Sequence, residues 1–241
     1  MDKKILIIIP AYNEEESIVP VITVLQRDYP QFDYVIINDG SSDRTEQICR
    51  EHDFHLVSQP INLGLAGAFQ TGMKYALKNG YDAALQFDAD GQHLPQYIQP
   101  MLDKLSEGYD IVIGSRFVSE KKPFTLRMLG NHLISFAIRM TTGKKINDPT
   151  SGMRMYNRRM IREFAIQINH TPEPDTISYL MRRGAKVGEV QVEMRERVAG
   201  TSYLNLPRSI GYMLQMAVSI LVVQWFRGGT KFSSEGEENL K

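Results

Sequence analysis

The sequence predicts an α/β fold: a mostly parallel, Rossmann-like sheet flanked by helices, with an amphipathic helix near the C-terminus. Over the first 115 residues, five short apolar runs alternate with amphipathic stretches of helical period. Short buried strands that alternate with helices are typical of β-α-β units, in which the strands run parallel. No linker rich in Pro, Gly or Ser divides the chain, so 241 residues predict one large domain with a short extension.

The elements follow one another in a regular order. Strands are predicted over residues 4–10, 34–39, 54–59, 83–88 and 109–116, and helices over 15–27, 43–51 and 65–77, with a fourth helix opening near Pro95. Residues 125–140 predict an amphipathic helix with apolar positions near i, i+3 and i+7, which indicates a stripe that faces the core. The stripe consists of Leu126, Leu129, Leu133, Phe136 and Met140, whereas Arg127, Asn131 and His132 lie off it.

Polar residues follow each of the first four predicted strands at the point where the strand ends. The four loops read PAYNEEES, NDGSSDRT, NLGLAGA and DADGQH. In an open α/β sheet, ligands bind beyond the carboxyl ends of the strands. The third loop also leads into a helix, whose first N–H groups are available to an anion. Four such loops at one edge of one sheet predict a nucleotide pocket with a metal at its centre.

Asp88 and Asp90 stand one residue apart at the end of the fourth predicted strand and are followed by Gly91. Neighbouring carboxylates repel each other, and a divalent cation relieves that repulsion. Mg²⁺ typically binds one or two carboxylates together with phosphate oxygens of a substrate. The pair therefore predicts a metal site, and the alternative is an acidic surface turn, because Asp and Gly favour turns.

The formal net charge is zero, but the charge is divided unevenly along the chain. Residues 1–114 hold 8 Lys/Arg and 17 Asp/Glu, a balance of −9, whereas residues 115–232 hold 19 and 8, a balance of +11. This division predicts an acidic, metal-using half and a basic half that faces an anionic ligand or surface. The alternative is solvated faces divided unevenly by chance.

Composition excludes several classes of protein. Cys49 is the single cysteine, so the chain has no internal disulfide, and no cluster has zinc-ligand spacing. The apolar run over residues 5–9 is too short for a signal peptide and is read as the first strand. Cytoplasmic residence is therefore predicted, and no nucleic-acid partner is expected.

Six motifs follow one another in an order that resembles the family 2 glycosyltransferases of the GT-A fold. They are PAYNEEES, NDGSSDRT, NLGLAGAFQTG, DADGQH, GSR and DPTSGMRMYNR. Within that family they are similar to the branch of dolichyl-phosphate mannose synthases and bacterial undecaprenyl-phosphate sugar transferases. The resemblance covers residues 3–206, and its specificity lies in the ordered set. It implies a GT-A domain over 1–206, with a nucleotide-sugar and metal half over 1–115 and an acceptor half over 116–206.

On the donor side, the resemblance implies a site for a nucleotide-diphospho-sugar with Mg²⁺ or Mn²⁺. The predicted nucleotide-binding residues are Pro10, Ala11, Tyr12, Glu14, Asp39, Gly64, Asp88, Ala89, Asp90 and Arg197. Asp88 and Asp90 match the Asp-x-Asp metal ligands of the family, and Gln92 matches a polar residue that reaches the same metal. Arg197 matches the arginine of a loop that closes over the donor phosphates, and Tyr203 stands where that loop usually has Lys.

On the acceptor side, the resemblance implies a second set of residues. They are Arg116, Arg127, Asn131, Asp148, Ser151, Gly152 and Glu173. Arg116 and Arg127 match basic positions that bind the acceptor phosphate, and Asn131 stands where a small hydroxyl residue is common. Glu173 and Asp175 match an acidic pair near the sugar. The predicted catalytic residues are Asp88, Asp90, Asp175 and Arg197.

The most hydrophobic predicted helix lies near the C-terminus, over residues 207–229. Its apolar run is interrupted by two glutamines and is shorter than the roughly 20 residues that a membrane span needs. Aromatic and basic residues stand at its ends, namely Arg208, Trp225, Phe226 and Arg227. They predict a helix that lies in the plane of a membrane interface, with a buried helix or one that pairs across a dimer as alternatives. Residues 230–241 predict a disordered tail.

These observations predict an inverting, metal-dependent glycosyltransferase that moves a sugar from a nucleotide-diphospho-sugar to a polyprenyl phosphate. The enzyme is expected to be peripheral at the inner face of the membrane, with a small membrane protein or a second copy of the chain as a possible partner. The alternative within enzymes is transfer to a saccharide hydroxyl in cell-wall or capsular polysaccharide synthesis. A nucleotidyltransferase would be expected to show a basic, glycine-rich first loop, whereas PAYNEEES is acidic. A non-catalytic sugar-nucleotide sensor is the remaining alternative, which a turnover assay separates.

Overall fold

The protein contains one mixed, mostly parallel sheet of seven strands with helices on both faces. The structure is a computed structural model that describes residues 3–120, 126–167, 171–195, 206–227 and 232; the side chains of residues 126, 127 and 206–210 are outside the description. The strands are β1 Ile5–Ala11, β2 Asp33–Asn38, β3 Leu56–Ser58, β4 Ala83–Gln86, β5 Ile111–Ser115, β6 Arg154–Asn157 and β7 Val187–Gln191. Their order in the sheet is β3-β2-β1-β4-β6-β5-β7.

Eight helices occur in the described part of the chain. They are α1 Ile18–Asp28, α2 Thr45–Glu51, α3 Gly64–Lys78, α4 Ile98–Ser106, α5 Leu126–Thr142, α6 Arg158–Ile166, α7 Pro174–Arg182 and α8 Leu206–Leu221. Short 3₁₀ turns, Pro95–Tyr97 and Val223–Trp225, precede α4 and follow α8. The α/β fold with its mostly parallel sheet is confirmed. α1 begins three residues later than predicted, because Ser17 and Ile18 both donate their N–H groups to the carbonyl of Glu14 in a turn.

β6 is the strand that makes the sheet mixed. It runs antiparallel to both β4 and β5, whereas β5 and β7 are parallel. In β6, Arg154 pairs with Gln86 and with Ile113, so the start of β6 lies beside the ends of two parallel strands. The antiparallel direction therefore brings the residues before β6, at 148–153, to the edge of the sheet where the polar loops lie.

The core consists of two apolar layers, one on each face of the sheet. β1 supplies both layers, because Leu6 and Ile8 face one side and Ile5, Ile7 and Ile9 face the other. α1, α2 and α4 cover the second side, and α3, α5, α6, α7 and α8 cover the first. Full burial of an Ile side chain is worth about 1.5–3 kcal/mol, so the run ILIII is a major source of stability for the sheet.

The predicted core-facing stripe of the helix over 125–140 is wrong. In α5 the residues Leu129, Leu133, Phe136 and Met140 are exposed, and the buried face consists of Met128, Gly130, Asn131, Ile134, Ala137 and Ile138. Both faces of α5 carry apolar residues, so periodicity within the helix does not decide which face is buried. Packing against α7 and α8 decides it, and a Cβ added at Gly130 would collide with Met213 of α8.

α8 is half buried, which differs from the alternative of a fully buried helix. Met213, Met216, Ala217 and Ile220 pack inward. The apolar residues exposed on α8 and directly after it are Leu214, Val218, Leu221, Val222, Val223, Trp225 and Phe226. Because α5 and α8 pack against each other, these residues and the four exposed residues of α5 form one surface, called here the apolar outer face. No described helix combines the length and the hydropathy that crossing a bilayer requires.

Of the predicted tail 230–241, only Phe232 lies within the described residues. Its N–H donates to the carbonyl of Arg183 at 2.8 Å. Its ring lies 4.7 Å from the guanidinium of Arg159 and 4.3 Å from that of Arg183, measured to the ring centroid. Phe232 therefore contacts the protein beside Arg159 and Arg183.

Candidate active site

A cleft lies at the carboxyl ends of β1, β2 and β4 and has a volume of about 210 Å³. Its lining residues are Pro10, Ala11, Tyr12, Glu14, Asp39, Leu65, Ala68, Asp88, Ala89 and Asp90. Eight of these ten were predicted as donor-binding residues. Leu65 and Ala68 were not singled out; they follow the predicted residue Gly64, which begins α3. The structure thus brings residues of all four polar loops to one place, the third of them, NLGLAGA, through the first turns of α3.

The loops after β1 and β2 are held together by hydrogen bonds. Asn13, at a φ of 57°, accepts the N–H of Ser42 at 2.9 Å and donates its own N–H to the Ser41 hydroxyl at 3.0 Å. The N–H of Glu14 donates to the hydroxyl of Thr45 at 2.8 Å. These contacts fix the position of Tyr12 and Glu14 at the mouth of the cleft.

Asp39 connects the second loop to the helix α3. It is 3% exposed, and its Oδ1 accepts the N–H of Leu63 at 2.8 Å. The next residue, Gly40, has a φ of +64°, and a Cβ there would lie 2.6 Å from the carbonyl carbon of Ile61. Only glycine fits this close approach of two backbones, because it has no Cβ and tolerates positive φ.

Asp88 and Asp90 lie just beyond the end of β4. Asp90 is 6% exposed, and its Oδ1 accepts the N–H of Gln92 at 3.0 Å. The side chain of Asp88 is 38% exposed. The described lining of the cleft holds four carboxylates, from these two residues, Glu14 and Asp39, and no Lys or Arg. Such an arrangement favours a divalent cation, since hard cations take oxygen ligands.

Gln92, the third predicted metal ligand, contacts a distant part of the chain. Its Nε2 donates to the carbonyl of Arg195 at 3.3 Å, and its own carbonyl accepts the N–H of Arg195 at 3.0 Å. Over the described residues, no group of three or more His, Cys, Asp or Glu side chains surrounds a possible metal position. A cation at Asp88 and Asp90 would therefore need further ligands from the substrate, as Mg²⁺ commonly does.

His93 is a site residue to which the sequence assigned no role. It is 4% exposed, and its Nδ1 accepts the N–H of Asp88 at 2.9 Å. Its Nε2 lies 3.5 Å from Oδ2 of Asp88. The signal that was present in the sequence is its position three residues after Asp90 in DADGQH.

The predicted acceptor residues form a cluster around Asp148. The Nε and Nη2 groups of Arg116 donate to the two carboxylate oxygens of Asp148 at 2.7 and 2.9 Å, and Asn131 Nδ2 donates to Oδ1 at 3.0 Å. Asp148 and Asn131 are fully buried. Burial alone would raise the pKa of Asp148, but the hydrogen bonds and charge of Arg116 outweigh it and hold that pKa below its ordinary value.

Two further predicted acceptor residues, Ser151 and Gly152, lie between the Asp148 cluster and Asp88. Ser151 donates its hydroxyl to the carbonyl of Gly114 at 2.5 Å. Gly152 follows, and a Cβ added there would lie 3.0 Å from Oδ2 of Asp88. The absence of a side chain at Gly152 therefore lets the segment before β6 pack directly against Asp88.

Glu173 and Asp175 are not among the residues that line the cleft of Asp88 and Asp90. Oδ2 of Asp175 accepts from the Ser219 hydroxyl at 2.7 Å and from Arg227 Nη2 at 3.1 Å. Glu173 accepts from the hydroxyl of Tyr212, whose pKa is raised by burial and by the nearby Glu173 charge. The structure thus joins the start of α7 to α8 through both acidic residues. Arg197 and the side chain of Arg127 lie outside the described residues.

Fold and site together define an α/β protein with an acidic ligand cleft at the carboxyl edge of its sheet. In known structures this fold is shared with glucosyl-3-phosphoglycerate synthase from Mycobacterium tuberculosis, crystallised with Mn²⁺, UDP-glucose and phosphoglyceric acid. The TM-score is 0.65 at 18% identity, covering 94% of this chain and 81% of that chain. This likeness concerns the fold.

The chain belongs to glycosyl transferase family 2, whose domain matches residues 6–164. It is 27% identical over 217 residues to polyprenol monophosphomannose synthase of Mycolicibacterium smegmatis, covering 84% of this chain and 82% of that protein. It is 32% identical over 189 residues to UDP-N-acetylglucosamine–dolichyl-phosphate N-acetylglucosaminyltransferase of Methanococcus voltae, covering 69% and 74%. The protein is therefore a glycosyltransferase, as its motifs predicted.

Proposed function

We propose that the protein is an inverting, metal-dependent glycosyltransferase that moves a sugar from a nucleotide-diphospho-sugar to a polyprenyl phosphate. The observation that carries the donor assignment is the cleft in which Asp39, Glu14, Asp88 and Asp90 meet. A diphosphate is itself an anion and would be repelled by four carboxylates. A divalent cation bound together with the donor removes this repulsion, because it neutralises negative charge on both the carboxylates and the diphosphate.

The donor set of the cleft fits Mg²⁺ or Mn²⁺. Asp88 and Asp90 would hold the ion, with Gln92 beside them and the phosphate oxygens of the donor as further ligands. When bound, the metal would neutralise negative charge on the departing diphosphate. Asp39 and Glu14 would bind the base and ribose, and Arg197 would close over the phosphates. In support, glucosyl-3-phosphoglycerate synthase, which has the same fold, was crystallised with Mn²⁺ and UDP-glucose.

The acceptor assignment rests on the relatives and on the cluster of Arg116, Asn131 and Asp148. Both relatives named above are, by their names, enzymes of polyprenol or dolichyl phosphate chemistry. Arg116 lies on the same side of the sheet as Gly152, which packs against Asp88. Asp148 holds Arg116 through Nε and Nη2. The part of the Arg116 guanidinium that does not contact Asp148 would bind the acceptor phosphate together with Arg127.

A phosphate acceptor also agrees with the surroundings of Asp175. A hydroxyl needs a general base as it attacks, whereas a phosphate monoester is largely ionised at pH 7, its second pKa being about 6. Asp175 is engaged by Ser219 and Arg227 and is 7% exposed. Both carboxylate oxygens of Asp175 already accept hydrogen bonds, Oδ1 from the N–H of Thr176 and Oδ2 from Ser219 and Arg227, so its environment favours an acceptor that needs no general base.

The apolar outer face supports a peripheral contact with the membrane, which we place at the cytoplasmic side. It carries exposed aromatic and aliphatic residues on two adjacent helices. Arg182 lies 3.8 Å from the ring centroid of Trp225, and Arg227 follows Phe226 directly. Aromatic and basic residues at the edge of an apolar surface are typical of helices that lie in the headgroup region. A polyprenyl phosphate would reach the site from that surface.

The function is tested by turnover with purified protein. The chain is incubated with a panel of nucleotide sugars and undecaprenyl phosphate, with Mn²⁺ or with excess chelator, and the product is identified by mass spectrometry. We expect a sugar-phospholipid product that is absent with chelator. Asp88→Asn and Asp90→Asn should each abolish turnover while circular dichroism stays unchanged. Full activity in chelator would contradict the metal role, and no turnover with any donor would favour a sensor.

The acceptor is tested by three variants in the same assay. If the acceptor is a phosphate, Arg127→Ala and Arg116→Ala should raise the KM for acceptor, since loss of one charge-assisted contact costs roughly 1.5–3 kcal/mol. Asp148→Asn is the matched control, because it breaks the same ion pair but keeps the cation. Asp175→Asn should then be mild. For a hydroxyl acceptor, Asp175→Asn should lose about 10²–10⁴-fold, with both arginine variants mild.

A further inference from the structure

Both ring nitrogens of His93 face the same residue, Asp88. Nδ1 accepts the backbone N–H of Asp88 at 2.9 Å. A backbone N–H only donates, so Nδ1 is the nitrogen without a proton. In the neutral ring the proton then lies on Nε2, which faces Oδ2 of Asp88 at 3.5 Å. One imidazole thus contacts both the main chain and the carboxylate of a predicted metal ligand.

The position of the ring is fixed by contacts on several sides. It is buried and packs edge-on against Phe87, with ring centroids 5.4 Å apart. The backbone of His93 forms an antiparallel bridge with Met194, and the adjacent Gln92 exchanges hydrogen bonds with Arg195. His93 is therefore tied to one sequence-distant segment, Met194 and Arg195, and its ring cannot turn away without breaking a packed contact.

Gly152 restrains the same carboxylate from another direction. A Cβ built at this glycine would lie 3.0 Å from Oδ2 of Asp88 and 3.6 Å from Cε1 of His93. Oδ2 of Asp88 thus lies beside the His93 ring and against the space where Gly152 has no side chain. The carboxylate therefore has neighbours at Oδ2, although its side chain is 38% exposed.

We infer that His93 is a positioning residue that orients Asp88 toward the divalent cation. The inference rests on the proposed function, because it takes Asp88 as a metal ligand. A ligand carboxylate that is held in place loses less conformational freedom when the metal binds. Partners behind metal ligands are typically worth about 10–100-fold in metal affinity or activity, so His93 should contribute on that scale.

The test measures Mn²⁺ binding without turnover, from the loss of the free-ion signal in electron paramagnetic resonance. Mn²⁺ alone is titrated into the wild type, Asp88→Asn, His93→Ala and Gly152→Ala. Phe87→Leu is the matched control, because Leu keeps an apolar neighbour beside the buried ring and leaves the His93 side chain with both its contacts to Asp88. Thermal unfolding of each variant reports whether it is folded.

We expect His93→Ala to weaken Mn²⁺ binding by about 10–100-fold, with Gly152→Ala weakened in the same direction. Phe87→Leu should lose thermal stability but stay within about threefold of wild-type affinity. The inference would be overturned if the Mn²⁺ affinity of His93→Ala also stayed within about threefold of wild type, or if Phe87→Leu lost as much affinity as His93→Ala. Either result would leave the proposed function intact. A wild type whose Mn²⁺ binding does not depend on Asp88 would overturn the metal site, and this inference with it.

A second readout does not depend on the metal or on a mutation. The ¹⁵N chemical shifts of the two ring nitrogens distinguish the tautomers of a histidine. We expect the His93 proton on Nε2, with Nδ1 as the acceptor from Asp88. A proton on Nδ1 would break the hydrogen bond to the Asp88 N–H and would overturn the inference, even if His93→Ala fails to fold.

Discussion

At the residue scale, the ion pair between Arg116 and Asp148 shows how much of the site depends on contacts between distant residues. Asp148 is fully buried, and Arg116 donates three hydrogen bonds to it, two from the guanidinium and one from the backbone, while Asn131 donates another. A buried charge without a partner is costly, so a change on either side of this pair affects folding as well as acceptor binding. That is why the acceptor test above compares Arg116→Ala with Asp148→Asn.

The lowered pKa of Asp148 predicts a pH-dependent contribution to stability. The pair should contribute fully above the ordinary Asp pKa of about 3.9, and the contribution should be lost as the pH falls through the lower folded-state value. Asp148→Asn should therefore reduce the free energy of unfolding by about 3 kcal/mol near pH 7. The difference from wild type should shrink below about pH 4.

Urea unfolding of wild type and Asp148→Asn at several pH values measures this prediction. Asp103→Asn is the control, because Asp103 is exposed on α4 and, among the described residues, accepts from the side chain of Gln99 on the same helix. It should change stability little at any pH. A gap between Asp148→Asn and wild type that stays constant down to acid pH would contradict the role of the ion pair.

At the element scale, α5 and α8 carry the apolar outer face, which bears on the proposed membrane contact. Each helix buries one apolar face and exposes a second. Monomeric soluble proteins rarely expose contiguous apolar patches of this kind without a function. The proposed function assigns the apolar outer face to contact with the membrane.

Phe136→Asp on α5 and Val218→Asp on α8 should each weaken binding to lipid vesicles. Full burial of a Phe or Val side chain is worth about 1.5–3 kcal/mol, so each change should lower the partition coefficient about tenfold or more. Cosedimentation with vesicles that contain anionic lipid measures the effect.

The matched control is Ile166→Asp, which introduces the same charge at an exposed apolar residue of α6, outside the apolar outer face. It should bind vesicles like the wild type. If all three variants bind equally, the membrane contact is elsewhere. If both helix variants instead turn a dimer into a monomer without affecting vesicle binding, the face is an interface between two copies.

At the scale of the whole molecule, the two halves of the sequence differ in charge. Residues 1–114 carry a balance of −9 and residues 115–232 a balance of +11. The acidic half supplies every lining residue of the donor cleft, and the basic half supplies Arg116, Arg182 and Arg227 beside the acceptor cluster and the apolar outer face. This division suits a metal-bound donor on one side and an anionic membrane on the other.

Vesicle binding should therefore depend on salt and on lipid charge. The screening length falls from about 10 Å at 0.1 M to about 3 Å at 1 M ionic strength, so binding to anionic vesicles should weaken steadily over this range. Neutral vesicles should bind less protein at low salt and show little salt dependence. Equal binding to both kinds of vesicle at all salt concentrations would mean that the basic half takes no part.

The sequence by itself determined the sheet of alternating strands and helices and the place of the donor cleft. A continuous apolar run such as ILIII needs burial on both faces of a strand, which predicts a strand inside the sheet. The polar residues that directly follow the run then lie at the end of that strand. The local pattern therefore predicted that Asp39, Asp88 and Asp90 lie at the strand ends, where the cleft is, and their roles toward nucleotide and metal stay predictions. These signals are local because a strand and its loop are adjacent in the chain.

Tertiary structure alone decided which face of α5 is buried, that Arg116 is paired with Asp148, and that Asp175 contacts α8. It also decided the antiparallel direction of β6, which brings Gly152 to Asp88. Each of these features depends on residues more than 30 positions apart in the sequence. Periodicity reports the faces of one element, but the partner that covers a face is set by packing between elements, so no local pattern contains it.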